Sequence, residues 1–201
     1  VEEGTVFQKL QDLGKLPLPS QDESFENSQL TSKILNNSGY LRYEISNYSL
    51  PGHQSRHNKV YWKGMGWWGF GQGSTSSPWG IRFSRPKNLD EYQRWVIHQC
   101  DKQLDNSLLL NSIKKLDLDE KIMLGLRTKE GINLKKLFIE EGWNADISKK
   151  YMSKLLICWQ KYRDYELLQN EGDRFFLSDP KGMELSNQII IDMFNWWDQI
   201  N

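Results

Sequence analysis

Apolar and polar residues alternate at 41–46, where Leu41, Tyr43 and Ile45 are separated by Arg42, Glu44 and Ser46. A period of two predicts a short strand with one apolar face. Upstream, Leu30, Ile34 and Leu35 recur at helical spacing. Ser20 followed three residues later by Glu23 is a capping-box pattern, and Gly39 suits a C-terminal stop. A helix is predicted from there to about Asn37, with those three residues inward. Gly4 and Leu16-Pro17-Leu18-Pro19 make the first segment read as loop. Helix, glycine and strand in succession are the grammar of an α/β unit.

The second half has a different rhythm. After a helix predicted over Leu89 to about Leu104, polar Asp105-Asn106-Ser107 marks a domain boundary. Asp117–Arg127, Asn133–Glu140 and Ile147 to about Tyr162 read as three helices. Glu166 to Leu177 reads as a hairpin, with Asn170-Glu171-Gly172-Asp173 at its turn. Ser178, Asp179 and Pro180 open a last helix, whose Leu185, Ile189, Met193 and Trp197 repeat every four residues and should face the core. Three helices, a hairpin and a helix form a winged-helix-like layout. The expected organisation is an α/β unit over 1–104 followed by a mostly helical α+β unit over 105–201.

Between the halves lies the stretch most suited to binding, Tyr40 to Ser77. It turns at Pro51-Gly52, presents Arg56-His57-Asn58 and then Tyr61-Trp62, and ends in the glycine-rich Gly69-Phe70-Gly71-Gln72-Gly73. Trp67 to Phe70 and Ile81 to Ser84 could add short strands on either side of that loop.

Composition narrows the function classes. The 201 residues carry 26 Lys plus Arg against 26 Asp plus Glu, a net charge of zero. A nucleic-acid footprint would need a basic excess; Lys135-Lys136 and Lys149-Lys150 are isolated pairs offset by Glu140, Glu141 and Glu171. No apolar run approaches the roughly 20 residues of a membrane span, which leaves only peripheral membrane contact open. Cys100 and Cys158 lack metal or disulfide spacing, and a reducing cytoplasmic location is expected. The chain opens on Val1, not Met, and VEEGTVF reads as the middle of something longer.

His57, read as a loop histidine flanked by Arg56 and Asn58, can ligate a metal or haem iron through one ring nitrogen. Tyr61 and Trp62 supply flat faces for a planar macrocycle. Arg56, Lys59 or Arg42 could pair with carboxylates. The bland alternative is a surface histidine beside core aromatics. His53 with His57 would be half of a metal site, but no third ligand is near in sequence and Pro51-Gly52 argues against a helix. His98 reads as structural, and Cys100 and Cys158 as buried inert thiols. Glycine lets backbone approach a ligand closely, but a tight turn needs the same residues, so Gly69–Gly73 fits either use.

Several of these segments resemble, in order, the oxygen-independent coproporphyrinogen III oxidase-like family of radical S-adenosylmethionine (SAM) proteins, and within it the HemW-like haem chaperone branch. The pieces are EEGTVF at 2–7, LPSQDE at Leu18–Glu23, YEISN at Tyr43–Asn47, SRHN-x-x-YW at Ser55–Trp62 and GFG-x-G at Gly69–Gly73. MLGLRTKEGI at Met123–Ile132 and LSDPKGMELSNQI at Leu177–Ile189 follow. The resemblance implies the last β/α units of a partial radical-SAM (TIM-like) barrel over 1–104, then the family's C-terminal HemN-type domain. It implies a haem chaperone that delivers haem to haem-accepting proteins, or alternatively an oxidase acting in porphyrin biosynthesis. A non-enzymatic winged-helix interaction module is the third expectation. The resemblance makes His57 the expected haem ligand, with Arg56, Asn58, Tyr61 and Trp62 around it, and places Gly71, Gly73, Ser74 and Thr75 near SAM. The family's CxxxCxxC motif, which holds a 4Fe–4S cluster, is not in this sequence, so no radical chemistry is expected of this chain alone. Gln72 and Ser74-Thr75 also depart from the family's usual GFGPG followed by Ala-His.

Overall fold

A computed structural model describes Val1, 3–78, 82–101 and 116–200. The boundary expected at Asp105-Asn106-Ser107, the helix end at Leu104, Ile81 and Glu2 lie outside these residues.

The first segment is not a loop: Val6–Asp12 forms helix α1, with the Thr5 hydroxyl accepting from the Gln8 amide. Helix α2 (Gln21–Asn37) starts on the expected capping box, Ser20 and Glu23 closing it reciprocally. Of the three residues expected inward, Leu35 is half-buried but Leu30 and Ile34 are not turned inward. Leu30 and Ile34 are both 55% exposed, and Ser32 is the buried residue among those of this helix whose side chains are described. Strand β1 (Leu41–Arg42) follows and pairs antiparallel with β2 (Tyr48–Ser49).

Helix α3 (Arg56–Trp62) begins four residues after Gly52. Beyond it, Trp67 makes an isolated bridge to Ser77, where a strand over 67–70 was expected. β3 (Thr75–Ser76) and β4 (Phe83–Ser84) pair antiparallel and lead to α4 (Leu89–Asp101).

The second half comprises α5 (Leu118–Leu126), β5 (Ile132–Asn133), α6 (Leu134–Glu140), α7 (Ala145–Cys158) and α8 (Gln160–Asp164). The hairpin β6 (Leu168–Glu171) and β7 (Arg174–Leu177) is followed by α9 (Lys181–Glu184) and α10 (Ser186–Ile200). The sheet order is β5-β7-β6, all antiparallel, with Ile132 opposite Phe175 and Leu168 opposite Leu177. The single helix expected over 147–162 is two helices, parted at fully buried Trp159. The last helix is divided too. Leu185 caps α9 and is 41% exposed, whereas Ile189 and Met193 on α10 are fully buried.

The hydrophobic core is built from this half. Ile122, Leu126, Leu134, Trp159, Ile189 and Met193 have no accessible surface. Among the described residues before 102, only Tyr43 counts as a buried large hydrophobic side chain. The first half attaches through backbone pairing: the Ile45 amide donates to the Arg127 carbonyl and the Lys129 amide to the Tyr43 carbonyl, each 3.1 Å. This ladder carries YEIS onto the end of α5 and holds α3 beside it.

Candidate functional site

Helix α3 explains the spacing of its own polar and aromatic residues. Side chains four apart on a helix are neighbours on one face. His57 with Tyr61 therefore forms one stripe, and Asn58 with Trp62 the next. The helix starts because the Ser55 hydroxyl accepts from the Asn58 amide at 3.2 Å. It stops at Gly64, whose φ of +62° allows the left-handed turn. There the Gly64 amide donates to the Tyr61 carbonyl and the Met65 amide to the Val60 carbonyl, both 3.0 Å. His57 is thus a helical residue, not a loop residue. Pro51-Gly52 does end the preceding segment, but Ser55 restarts the chain as a helix. Ser55 as a cap and Gly64 as a stop were the sequence signals for this.

The Asn58–Trp62 stripe faces inward. The Asn58 side-chain Nδ2 donates to the Tyr43 hydroxyl at 3.4 Å, and the buried Trp62 indole Nε1 has no hydrogen-bond partner. The His57–Tyr61 stripe lies nearer the surface, with Tyr61 half-buried. His57 is exposed, and its Nε2 lies 3.0 Å from the Tyr61 hydroxyl. The two rings meet edge to face with centroids 5.0 Å apart, and Tyr61 meets Trp67 in the same way at 4.7 Å. Histidine, tyrosine and tryptophan form a continuous row. Met65, Trp68 and Phe70 follow in the next loop and are 53%, 52% and 85% exposed.

Of the cations expected to meet carboxylates, Arg56 is exposed at the first position of α3. Lys59 is engaged by Gln54 and lies 3.7 Å from Glu130. Arg42 is not available. Its side chain is 4% exposed and contacts Tyr48, Ser32, Asp179 and Glu184. His53 lies exposed in the turn before α3, and His98 is exposed on α4, not packed in a core. Burial raises the half-buried Cys158 thiol above its ordinary pKa, in keeping with an inert thiol.

The glycine-rich segment is a hairpin turn. A Cβ on Gly69 would sit 2.2 Å from the Thr75 carbonyl, so only glycine fits. Gly71 and Gly73 take φ of +87° and +68°. The Ser74 hydroxyl donates to the Gly71 carbonyl, Thr75 pairs with Ser84, and Arg85 donates to Ser74 and Ser76. Gly71 has nothing within 4 Å of the place a Cβ would take. Among the described residues no group of three His, Cys, Asp or Glu side chains could hold a metal. With two cysteines in the whole sequence, the chain does not fit an iron–sulfur cluster.

No protein-family model matches the chain. It is 30% identical, over 96% of its length, to the haem chaperone HemW of Synechocystis, covering 49% of that protein. It is 32% identical to haem chaperone HemW of Lactococcus lactis, covering 94% of this chain and 47% of the relative. A mitochondrial radical S-adenosyl methionine domain-containing protein 1 of Danio rerio is 26% identical over 92% of the chain. The chain spans about half the length of the curated relatives it matches. The fold is similar to that of coproporphyrinogen III oxidase (HemN) of Escherichia coli, a radical SAM enzyme. The TM-score is 0.57 and the identity 16%, over 88% of this chain and 42% of that one. This mixed α/β chain is a HemW-like sequence, homologous over nearly its whole length to about half of each of those haem chaperones.

Proposed function

We propose that the chain is the C-terminal portion of a haem chaperone and that its outer α3 face takes up haem for delivery to haem-accepting proteins. The observation that carries this is the exposed His57 paired with the half-buried Tyr61 at the head of an aromatic row. Those two side chains are the ones on α3 that can face iron. Trp67 and the exposed loop aromatics offer flat apolar surface to the macrocycle, and Arg56 offers a cation to a propionate. Asn58 and Trp62 support the helix from inside. An open face suits a carrier, because cargo held at a surface can be passed on. The apolar residues of α1 and α2 that stand exposed here are the ones that the other half of a longer protein would cover.

In that longer protein we assign SAM and a 4Fe–4S cluster to the radical-SAM barrel, whose last β/α units 1–104 would supply. This chain provides no cluster ligand. Gly71, Gly73, Ser74 and Thr75 form the segment assigned to the SAM side, where the open backbone at Gly71 supports close approach. The order helix, strand, three helices, two strands, with β7 central, supports a winged-helix reading of the C-terminal HemN-type domain over 105–201. The absence of basic excess favours packing over nucleic-acid binding. The likeness to HemN favours oxidation of coproporphyrinogen III as the second reading, which an assay for porphyrinogen decarboxylation by the longer protein would detect.

The test is transfer. The chain loaded with hemin is mixed with apomyoglobin, and the myoglobin Soret band is followed. The carrier reading predicts passage of haem to the apoprotein; haem that stays on the chain or never binds contradicts it.

A further inference from the structure

We infer that the iron-ligating atom on α3 is the phenol oxygen of Tyr61, with His57 as its hydrogen-bond partner. This rests on the haem site proposed above and specifies its ligand. In an imidazole, Nδ1 sits next to the ring's attachment to Cβ and is crowded by its own backbone. Nε2 is the open nitrogen, the one best placed for a bulky planar ligand. In this chain Nε2 is already committed, with the Tyr61 hydroxyl 3.0 Å away. Iron approaching Nε2 must displace that oxygen, whereas iron approaching the oxygen keeps the hydrogen bond intact.

The phenol is also the better braced of the two rings. On one side His57 meets it at an interplanar angle of 86°. On the other, Trp67 meets it edge-on, and Trp67 is itself fixed by paired backbone bonds with Ser77 of 3.2 and 2.9 Å. His57 has the exposed end of the row. A residue held on both flanks is positioned as a ligand; the residue outside it is positioned to hold or receive the ligand's proton.

The step balances without an external reactant. An oxygen lone pair forms the Fe–O bond, the phenol O–H bond breaks, and its proton passes to Nε2. The iron keeps its oxidation state. The product is a phenolate on ferric iron, hydrogen-bonded to an imidazolium, and charge assistance strengthens that contact. Tyrosine is an established haem ligand chemically, and an anionic oxygen suits ferric iron.

The experiment compares hemin complexes of the chain, of Tyr61→Phe and of His57→Ala by absorbance and resonance Raman. The wild type is expected to show a phenolate-to-iron charge-transfer band and an Fe–O(phenolate) stretch. Tyr61→Phe, which keeps the ring and its packing, loses both. His57→Ala keeps both but binds hemin about 10–100-fold more weakly, the usual effect of losing a ligand's hydrogen-bond partner. Imidazole-ligated iron in the wild type that persists in Tyr61→Phe and vanishes in His57→Ala would overturn the assignment while leaving the haem site standing. No saturable hemin binding by the wild type would overturn both.

Discussion

At the scale of single residues, backbone geometry often decides what chemistry alone leaves open. Gly131 has φ of +67°, and a Cβ there would sit 2.1 Å from the Phe175 carbonyl, so β7 crosses directly over it. Gly131→Ala adds left-handed strain to a backbone clash and should lower stability by at least about 1–2 kcal/mol. Chemical denaturation of both proteins measures this; equal midpoints would contradict it. His57, Asn58, Tyr61 and Trp62 were legible as a candidate group in the sequence, but their division into an outer and an inner stripe was not. That division exists only because the segment is helical, and Pro51-Gly52 pointed toward a loop. Arg42 illustrates the opposite difficulty. Its place in an alternating strand was legible, but its burial among carboxylates depends on partners more than a hundred residues away.

At the scale of elements, local signals in the second half were strong. Asp117 and Asn133 lie directly before α5 and α6, and the Asn133 side chain accepts from the Lys136 amide. The turn residues Gly172-Asp173 close the β6–β7 hairpin as their chemistry suggests. What periodicity could not reveal was where helices break. Trp159 parts α7 from α8, and Leu185 parts α9 from α10, so the four-residue repeat that starts at Leu185 in the sequence begins at Ile189 in terms of burial. The elements α8 and α10 are tied by Asp192, whose Oδ2 accepts from Lys161 Nζ at 2.5 Å and from the Tyr162 hydroxyl at 2.6 Å. The Lys161 ammonium, then the Tyr162 hydroxyl, hold the Asp192 carboxyl below its ordinary pKa. A depressed carboxyl stabilises the fold above its unfolded value of about 4 and loses that contribution as pH falls through its folded value. Asp192→Asn should therefore cost no more than about 1 kcal/mol at neutral pH, given the exposure of Lys161. It should also flatten the acid side of the stability profile. A thermal melt series from neutral to acid pH checks this; parallel profiles would contradict the tie.

At the scale of the whole molecule, the first half depends on the second for its order. Most apolar side chains of its helices α1 and α2 are exposed, while its polar Arg42 reaches Asp179 at 3.4 Å and Glu184 at 3.9 Å across the fold. Arg42→Ala would leave two carboxylates buried without their cation and should destabilise by about 3–5 kcal/mol, seen as a fall in the denaturation midpoint; an unchanged midpoint would argue against this bridge. The α/β character of the first half and the helix–hairpin character of the second were visible in the hydrophobic pattern. The antiparallel joining of 43–45 to 127–129 was not, because pairing between distant segments leaves no periodic trace. That joining is what sets α3 at the surface with His57 exposed and Tyr61 half-buried beside it. The measurement that tests this account most directly is a hemin titration of the chain followed at the Soret band, beside His57→Ala and His53→Ala. The account predicts saturable binding by the wild type, the same binding by His53→Ala, and markedly weaker binding by His57→Ala. Equal binding by all three would place the haem elsewhere and contradict the assignment of α3.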